Sequence, residues 1–254
     1  MRLLIFGLGY TAVRIADAAR ARGWSVDATG SAGNIDFNDG GTVRLVAAQA
    51  THVLSSVPPL VDGDPVLQSY GDILAGKWLG YLSSTGVYGD AGGAWVDESA
   101  PIRGRRESRN LADQDWLRRG ARVFRLPGIY GPGRSALDRV VRGEGHRVAL
   151  PDQVFSRVHV DDIASGVVAA FAAPPGAYNL ADDYPCDQNR VIEAAAAILR
   201  MPAPPFVGLD DLSPMARSFY AENRRVANGK AKRVLGWTPA YPDFAIGLRA
   251  LALG

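Results

Sequence analysis

The sequence predicts an α/β fold built on a doubly wound parallel sheet. Short apolar runs of strand-forming residues alternate with helical patterns through the first half of the chain, as expected for parallel strands joined by crossover helices. The first run leads directly into a glycine-containing turn, Gly7-x-Gly9-x-x-Ala12. The predicted strands are residues 3–6, 25–28, 52–57, 78–83 and 123–126, and the predicted helices include residues 11–22 and 111–119.

Length and composition are those of a folded globular protein. The chain has 254 residues, of which 47% are hydrophobic and 21% charged, so a sizeable core is expected. Cys186 is the single cysteine, which excludes an internal disulfide and makes the cytoplasm the expected location. No Cys/His cluster has metal-ligand spacing, so no metal is expected. Arg14, Asp17 and Arg20 interrupt the first apolar run too early for a signal peptide, and no run has the length of a membrane span.

The basic residues are spread along the chain. The formal net charge is +2, from 28 lysines and arginines against 26 acidic residues, and only Lys77, Lys230 and Lys232 are lysines. The densest basic group lies within residues 103–109; we interpret it as a solvated helix start, with a polyanion site as the alternative. We therefore expect neither a nucleic-acid nor a membrane partner.

The glycine turn between the first strand and the first helix predicts a dinucleotide-binding site. Gly7 permits the tight turn, Gly9 lets the backbone approach a pyrophosphate, and Ala12 is small enough for close helix–strand packing. The free N–H groups at the start of the helix, at Tyr10 and Thr11, and its positive end then face the anion. NAD or NADP is the expected cofactor.

The end of the second predicted strand leaves the choice between NAD and NADP open. Asp27 lies about 20 residues beyond Gly7 but inside the strand, and Ser31 rather than an arginine stands at the tip. Only residues 30–34 then separate this strand from the Ile35-Asp36-Phe37 run, whereas a parallel crossover needs a dozen residues or more. The usual helix is therefore expected to be abbreviated or missing.

A motif in the middle of the chain carries a family resemblance. The run YLSSTGVYGD, residues 81–90, resembles the Ser-Ser/Thr-x-x-Val-Tyr-Gly segment of the extended short-chain dehydrogenase/reductase superfamily. RLPGIYGPG, VHVDDIA, YNLADD and AKRVLGW follow in the family's order, at residues 125–133, 158–164, 178–183 and 231–237. SSVPP at residues 55–59 and SPMARSFYAENRRV at residues 213–226 resemble the atypical bacterial branch that is similar to NAD-dependent epimerases and dehydratases.

The resemblance implies a Rossmann-type domain with a smaller C-terminal substrate-binding lobe. Residues 1–131 would form the NAD(P)-binding domain, to which residues 156–176 return. Residues 132–155 and 177–254 would form the substrate lobe. Ligands of such folds bind at the carboxyl ends of the strands, here between the lobes.

The resemblance also implies a catalytic role for Ser84. Ser84 matches the family's hydroxyl residue three positions before the valine. In the family, this hydroxyl hydrogen-bonds the substrate oxygen on the carbon that exchanges hydride. A hydroxyl both donates and accepts, so it suits an oxygen whose charge changes during the reaction. The alternative is that the hydroxyls of residues 83–85 only bond the local backbone at a strand end. Thr85 is expected beside the substrate.

The family's Tyr-x-x-x-Lys pair is missing from this sequence. In its place stand Arg105 and Arg109, before Ala112-Asp113, which matches the family's Ala-Glu signature. Arginine stays protonated and offers only donors, so Arg105 cannot act as a base. Arg109 either supplies the lysine's charge and holds ribose hydroxyls, or is a plain surface arginine. Tyr88 is a candidate to replace the missing tyrosine as acid/base, although in the family this aromatic residue chiefly shapes the pocket.

Further site residues are expected around the cofactor and the substrate. Asp36 and Phe37 match the Asp-hydrophobic pair that the family places beside the adenine. Ser55, Val57 and Pro58 would border the ribose and phosphates, unless they form a plain loop. Arg134 and Arg217 would face an anionic substrate such as a nucleotide diphosphate, unless they are ordinary surface charges.

His159 precedes a predicted helix start, and we interpret it as structurally satisfied rather than catalytic. Asp161 is the predicted N-cap of that helix.

The sequence thus predicts an NAD(P)-dependent oxidoreductase or epimerase/dehydratase-like enzyme that acts on a sugar-like or nucleotide-linked alcohol by hydride transfer. The alternative is a non-catalytic NAD(P)-binding sensor, which the loss of the tyrosine and lysine permits. The expected partner is a small-molecule substrate. No segment indicates an oligomer interface, so monomer and homodimer are both open.

Overall fold

The computed structural model describes residues 1–253, and of Met215 only the backbone. The strands in chain order are β1 (Arg2–Phe6), β2 (Ser25–Ala28), β3 (His52–Ser55), β4 (Trp78–Ser84), β5 (Trp95–Val96), β6 (Arg122–Leu126), β7 (Gly128–Tyr130), β8 (Arg147–Val148), β9 (Arg157–His159), β10 (Gly176–Asn179), β11 (Phe206–Val207) and β12 (Arg225–Val226). The helices are α1 (Tyr10–Arg20), α2 (Gly40–Gln49), α3 (Pro65–Tyr70), α4 (Glu107–Arg118), α5 (Ala136–Val141), α6 (Val160–Ala169), α7 (Gln188–Ile198), α8 (Pro214–Phe219), α9 (Gly229–Leu235) and α10 (Phe244–Leu253).

Six strands form a central parallel sheet in the order β10-β6-β4-β3-β1-β2. Both faces of this sheet are covered, which is why its strands are nearly continuous apolar runs. One core cluster packs α1 and α6 on one face, around Ile15 and Ile163, and a second packs α2 and α4 on the other, around Val43 and Trp116. The predicted doubly wound α/β fold is confirmed.

The predicted strands are present with small shifts at their ends. Residues 25–28 form β2 as predicted, while β3 ends at Ser55 instead of residue 57. The short crossover after β2 also agrees with the prediction. In place of a helix and a full strand, the chain makes one isolated parallel bridge, between Thr29 and Ile35, and then enters α2.

A third core cluster lies in the second half of the chain. It is formed by α5, α7 and α10, with Leu137, Ile192 and Leu248 buried at its centre. Strand β10 pairs with β6 in the central sheet, so the predicted domain boundary at residue 176 falls at the start of a sheet strand. The other boundaries between the lobes remain predictions.

Within residues 1–253, none of the helices combines the length and apolar character that a membrane span requires. The same residues contain no group of three or more His, Cys, Asp or Glu side chains placed to hold a metal ion.

Candidate functional site

The glycine turn after β1 has the geometry of a phosphate-binding loop. Gly7 has a φ of +85°, which a residue with a side chain rarely adopts. A Cβ there would also lie 3.0 Å from Ser56 Oγ, which donates a hydrogen bond to the Gly7 carbonyl. On the other side, the Gly7 N–H donates to Thr29 Oγ1 at 3.1 Å. The turn is therefore fixed by the ends of both neighbouring strands.

The N-terminus of α1 is left uncapped. Gly9 is the N-cap residue and offers no side chain, and no acidic residue lies in the first turn. Among the described residues, the N–H groups of Tyr10, Thr11 and Ala12 have no hydrogen-bond acceptor. A Cβ on Gly9 would meet no atom within 4 Å. These donors and the positive end of the helix face open space, as an anion site requires.

A cavity of about 1010 Å³ begins at this helix end. It runs along the carboxyl ends of β4 and β6 and is closed on the far side by the segment around α8 and β12. Its lining includes Gly9, Tyr10, Thr11 and Ser56 near the helix, Ser84, Thr85 and Gly86 at the end of β4, and Phe155, Phe219 and Tyr220 on the far wall. The strand ends and the C-terminal segments that the sequence analysis places around the site thus line one cavity.

Ser84 lies in the cavity wall with its proton available. It caps the turn at residues 85–88, since its Oγ accepts the Gly86 N–H at 3.0 Å. Ser84 Oγ donates no hydrogen bond to any described residue, so the hydroxyl proton is free to be donated to a ligand oxygen. The side chain thus bonds the local backbone and also lines the cavity, and its catalytic role stays a prediction.

A buried polar network supports the end of β4 from behind. Ser83 Oγ donates to Asp113 Oδ2 at 2.6 Å, and Arg125 binds both Asp113 oxygens, at 2.7 and 3.1 Å. Arg125 also donates to the Tyr88 hydroxyl at 3.1 Å, which in turn donates to Asn179 Oδ1 at 2.7 Å. Burial raises the pKa of Tyr88. Tyr88 does not line the cavity, so the structure does not bring it together with Ser84 at the site.

The two arginines at the family's tyrosine and lysine positions behave differently. Arg105 donates from Nε to Glu222 Oε1 and from Nη2 to the Ser218 carbonyl, both at 2.7 Å. Arg109 lines the cavity half-buried on the first turn of α4, and its side chain makes no hydrogen bond or ion pair with the described residues. Its guanidinium is available for a ligand, whereas that of Arg105 is largely committed.

The cavity wall is strongly basic. Its described lining contains one acidic residue, Glu222, against seven arginines, which are Arg105, Arg106, Arg109, Arg134, Arg139, Arg157 and Arg224. Burial alone would raise the pKa of Glu222, but hydrogen bonds from Arg105 and Arg224 outweigh it and hold the pKa below its usual value. Burial and the charge of Arg139 lower the pKa of His146, which favours the neutral form of this lining imidazole. Such a wall favours an anionic ligand.

The predicted substrate arginines are separated by the structure. Arg134 lines the cavity, exposed, with its guanidinium 5.7 Å from the centre of the Tyr10 ring at the start of α1. Arg217 does not line it: it forms an ion pair with Asp210 at 3.3 Å and donates to the Asp210 carbonyl at 2.9 Å. The prediction for Arg217 is therefore corrected to a surface ion pair.

The residues expected around the rest of the cofactor also differ in placement. Asp36 and Phe37 line a separate, shallow cavity of about 430 Å³ at the tip of β2. Ser55 is fully buried and Ser56 lines the main cavity instead. Val57 packs against the core and Pro58 is exposed outside that cavity, so neither borders it.

Several lining residues were not predicted from the sequence. Arg139, His146, Arg157 and Gln188 come from four separate elements or loops of the second half, so no local spacing connects them.

A further correction concerns the N-terminus of α6. Its N-cap is His159, whose Nδ1 accepts the Asp161 N–H at 3.3 Å, and Asp161 lies inside the first turn. His159 is buried, and burial lowers its pKa.

Comparison with known proteins gives sequence relatives of limited extent. No family model matches the chain. The 3-diazoavenalumate denitrifying reductase of a Streptomyces species is 31% identical over 141 residues, which cover 50% of this chain and 45% of the reductase. Protein YeeZ of Escherichia coli K12 is 25% identical over an alignment that covers 95% of this chain and 97% of YeeZ.

Solved structures match the whole chain. The crystal structure of an NAD complex of dTDP-glucose 4,6-dehydratase from Bacillus anthracis superposes with a TM-score of 0.81 at 15% identity, covering 100% of this chain and 96% of that one. UDP-glucose 4-epimerase of Thermus thermophilus, also with NAD, gives 0.79 at 19% identity, covering 99% and 98%. A functionally unknown conserved protein from Silicibacter pomeroyi gives 0.89 at 41% identity, covering 99% and 98%.

These matches define the fold of the protein. It is the fold of the NAD-bound dehydratase and epimerase structures, as the resemblance in the motifs predicts. The chain belongs to one family with the Silicibacter pomeroyi protein.

Proposed function

We propose that this protein binds NAD or NADP across the glycine turn and catalyses hydride transfer with a sugar-like or nucleotide-linked alcohol. The observation that supports this most directly is the single cavity that joins the uncapped N-terminus of α1 to the free hydroxyl proton of Ser84. An anion site and a hydroxyl donor on adjoining strand ends are what a dinucleotide-dependent reaction at a C–O bond needs.

The residues present fit such a cofactor. The N–H groups of residues 10–12 would hold its diphosphate, and Arg134 would add a positive charge beside them. Arg109 would bind ribose hydroxyls and supply the positive charge that the family's lysine gives. The nicotinamide, when bound, supplies or accepts the hydride.

The chain's own part in the reaction is polarisation of the substrate oxygen. Ser84 donates its proton as a hydrogen bond to this oxygen and so stabilises negative charge that develops there when hydride arrives. In the direction of alcohol oxidation, His146, whose pKa burial lowers, is a candidate to accept the proton that the alcohol releases. The unpaired arginines of the wall would bind a substrate's anionic group. The Streptomyces relative is a reductase, which agrees with hydride chemistry.

A specific observation also favours the sensor as a second candidate. The tyrosine position is occupied by Arg105, which is bound to Glu222, and burial raises the pKa of both lining tyrosines, Tyr10 and Tyr220. None of these groups is a phenolate base near pH 7. A protein that binds the cofactor without turnover would tolerate this arrangement.

The binding proposal is tested by Gly9→Asp. Space beyond Gly9 is empty and its φ is −102°, so the side chain fits without strain, and an aspartate at the N-cap stabilises α1. It would nevertheless occupy the N–H groups and repel a diphosphate. We expect an unchanged or slightly higher Tm and an affinity for NADH and NADPH at least tenfold lower, measured by fluorescence titration.

The matched control is Gly40→Asp, at the start of α2, where a Cβ also meets no atom within 4 Å. This variant should bind as the wild type does. Equal binding by wild type and Gly9→Asp, or no binding of either cofactor, would refute the proposed site. A panel of sugar nucleotides and their oxidised forms then separates enzyme from sensor: cofactor turnover supports the enzyme, and binding without turnover of any member supports the sensor.

A further inference from the structure

The shallow cavity at the tip of β2 lies directly beside the glycine turn. Gly30, which follows the strand, has a φ of +106°, and a Cβ there would lie 2.8 Å from the Leu8 nitrogen. The Leu8 N–H donates to the Thr29 carbonyl at 2.7 Å. A dinucleotide whose diphosphate rests on the start of α1 would therefore direct its adenosine ribose toward this cavity.

The acidic residue inside β2 is not available to that ribose. Asp27 forms an ion pair with Arg2 Nε at 3.3 Å and accepts a hydrogen bond from Asn34 Nδ2 at 3.0 Å. Asn34 Oδ1 in turn accepts the Ala28 N–H at 2.8 Å. The Asn34 amide thus holds the loop of residues 30–34 folded back against the end of the strand.

This folded loop brings another carboxylate to the tip. The Ile35 N–H donates to the Ala28 carbonyl at 3.1 Å, so the next residue, Asp36, lies in the lining of the shallow cavity. Asp36 is exposed, accepts the Asn38 N–H at 2.9 Å, and forms no ion pair with the described residues. One of its oxygens is therefore free to accept a hydrogen bond from a ligand.

No positive charge balances Asp36 in this cavity. The other described lining residues, Gly30, Gly33, Asn34, Ile35 and Phe37, are uncharged. Arg44, on the neighbouring helix α2, is bound to Asp72 at 2.6 Å and to the Ser69 carbonyl at 3.3 Å. Arg2 is paired with Asp27.

Resting on the proposed function, we infer that this site selects NAD over NADP, and that Asp36 is the residue that discriminates. A ribose 2′-hydroxyl can donate a hydrogen bond to the free carboxylate oxygen. A 2′-phosphate carries between one and two negative charges at pH 7 and would meet a carboxylate with no cation to offset it. An acidic residue at the end of the second strand ordinarily binds this ribose. Here Asp36, nine residues after Asp27, would bind it instead.

The test compares NADH and NADPH by fluorescence titration of the same protein at low ionic strength. We expect NADH to bind at least tenfold tighter. Asp36→Asn should narrow the ratio of the two affinities at least threefold, because the amide keeps the side chain's shape and removes its charge. The matched control, Asp62→Asn, changes an exposed carboxylate outside both cavities and should leave the ratio unchanged.

Three further measurements distinguish the effect of charge on cofactor affinity from the effect of shape. Raising the salt concentration should reduce the NADH preference of the wild type and have less effect on that of Asp36→Asn. Ser31→Arg, at the loop tip, should strengthen NADPH binding while NADH binding stays within about twofold. Calorimetry with 5′-AMP and adenosine 2′,5′-bisphosphate should show the same order of affinity as the intact cofactors.

The outcomes separate the two proposals. NADPH affinity equal to or above that of NADH, or a ratio that Asp36→Asn leaves unchanged, would overturn the selection while the proposed cofactor site stands. Failure of both cofactors to bind would overturn the proposed function, and this inference with it.

Discussion

Arg105 Nε donates a 2.7 Å hydrogen bond to Oε1 of Glu222, and this contact connects the segment before α4 with the C-terminal wall of the cavity. Glu222 Oε2 accepts a second hydrogen bond, at 2.6 Å, from Arg224, which also donates to the Gly89 carbonyl at 2.7 Å. Arg105, predicted from the motifs to stand in place of the family's tyrosine, therefore has a structural role here. It fixes the wall that faces Ser84.

Arg105→Ala should loosen this wall without unfolding the protein. The change removes the contacts to Glu222 and to the Ser218 carbonyl, so amide hydrogen exchange should speed up in residues 213–222. Because the Arg105 side chain is 53% exposed, the loss in unfolding free energy should stay below about 1 kcal/mol. Arg118→Ala, which removes an exposed ion pair with Asp115 at the other end of α4, is the control and should not change exchange in that segment. Identical exchange in the two variants would contradict the structural role.

Breaking the buried ion pair of Asp113 and Arg125 should lower the unfolding free energy more than breaking any other ion pair of the described residues. Their side chains are 0% and 3% exposed, so removing one partner leaves an uncompensated buried charge. Asp113→Ala should cost about 3–5 kcal/mol of unfolding free energy in urea denaturation. Asp115→Ala, an exposed carboxylate on the same helix, should change it by less than about 1 kcal/mol. A loss for Asp113→Ala as small as that of the control would show that the pair is not desolvated.

The adjacent residues Ser83 and Ser84 should separate stability from activity. Ser84→Ala removes the cavity hydroxyl, so turnover of a substrate found in the panel should fall about 100-fold while cofactor affinity is kept. Ser83→Ala removes a donor to buried Asp113, so its effect should be a loss of about 1–3 kcal/mol in unfolding free energy, with turnover per folded molecule retained. Steady-state kinetics and urea unfolding of both variants test this. Undiminished turnover in Ser84→Ala would remove this hydroxyl from the mechanism.

The central sheet could be predicted because its strands are buried on both faces. Residues 78–83 are then predicted from local pattern alone, one residue short of β4, as is the glycine turn that starts α1. Strand ends are less certain. The prediction extends β3 by two residues, and of the predicted segment 55–58 only Ser56 lines the main cavity.

The far wall of the cavity could not be predicted in this way. Arg139, Arg157 and Arg224 line it from α5, from β9 and from the residue before β12, and no sequence spacing connects these three positions. The cap of α6 shows a different limit. Histidine is not among the preferred N-cap residues, so the rule selects Asp161, whereas the buried His159 ring makes the capping hydrogen bond. Arg217 was predicted from charge alone, and charge does not distinguish a cavity from a surface ion pair.

Asp182 should make the protein less stable as the pH rises from 4 to 7. The side chain is buried, and its Oδ2 has no hydrogen-bond partner among the described residues. Burial raises the pKa of Asp182 to about 7, against a partly opposing effect of Arg157 and with Asp183 and Asp243 adding to the rise. Above pH 3.8 the unfolded chain releases this proton while the folded protein keeps it until about pH 7. The folded state thus binds more protons in this window, so this group's contribution to the unfolding free energy falls with pH, by at most about 1.4 kcal/mol per unit.

Asp182→Asn, which cannot ionise, should remove that contribution. Urea unfolding of wild type and variant at intervals from pH 4 to 8 would measure this contribution. The unfolding free energy of the variant should rise relative to that of the wild type up to about pH 7, and the difference should then stay constant. Asp183→Asn is the matched control, since this neighbouring carboxylate is partly exposed and paired with Lys232 at 2.6 Å. A difference that does not change between pH 4 and 7, or that shifts equally in Asp183→Asn, would show that the Asp182 carboxyl is already ionised in the folded protein at low pH.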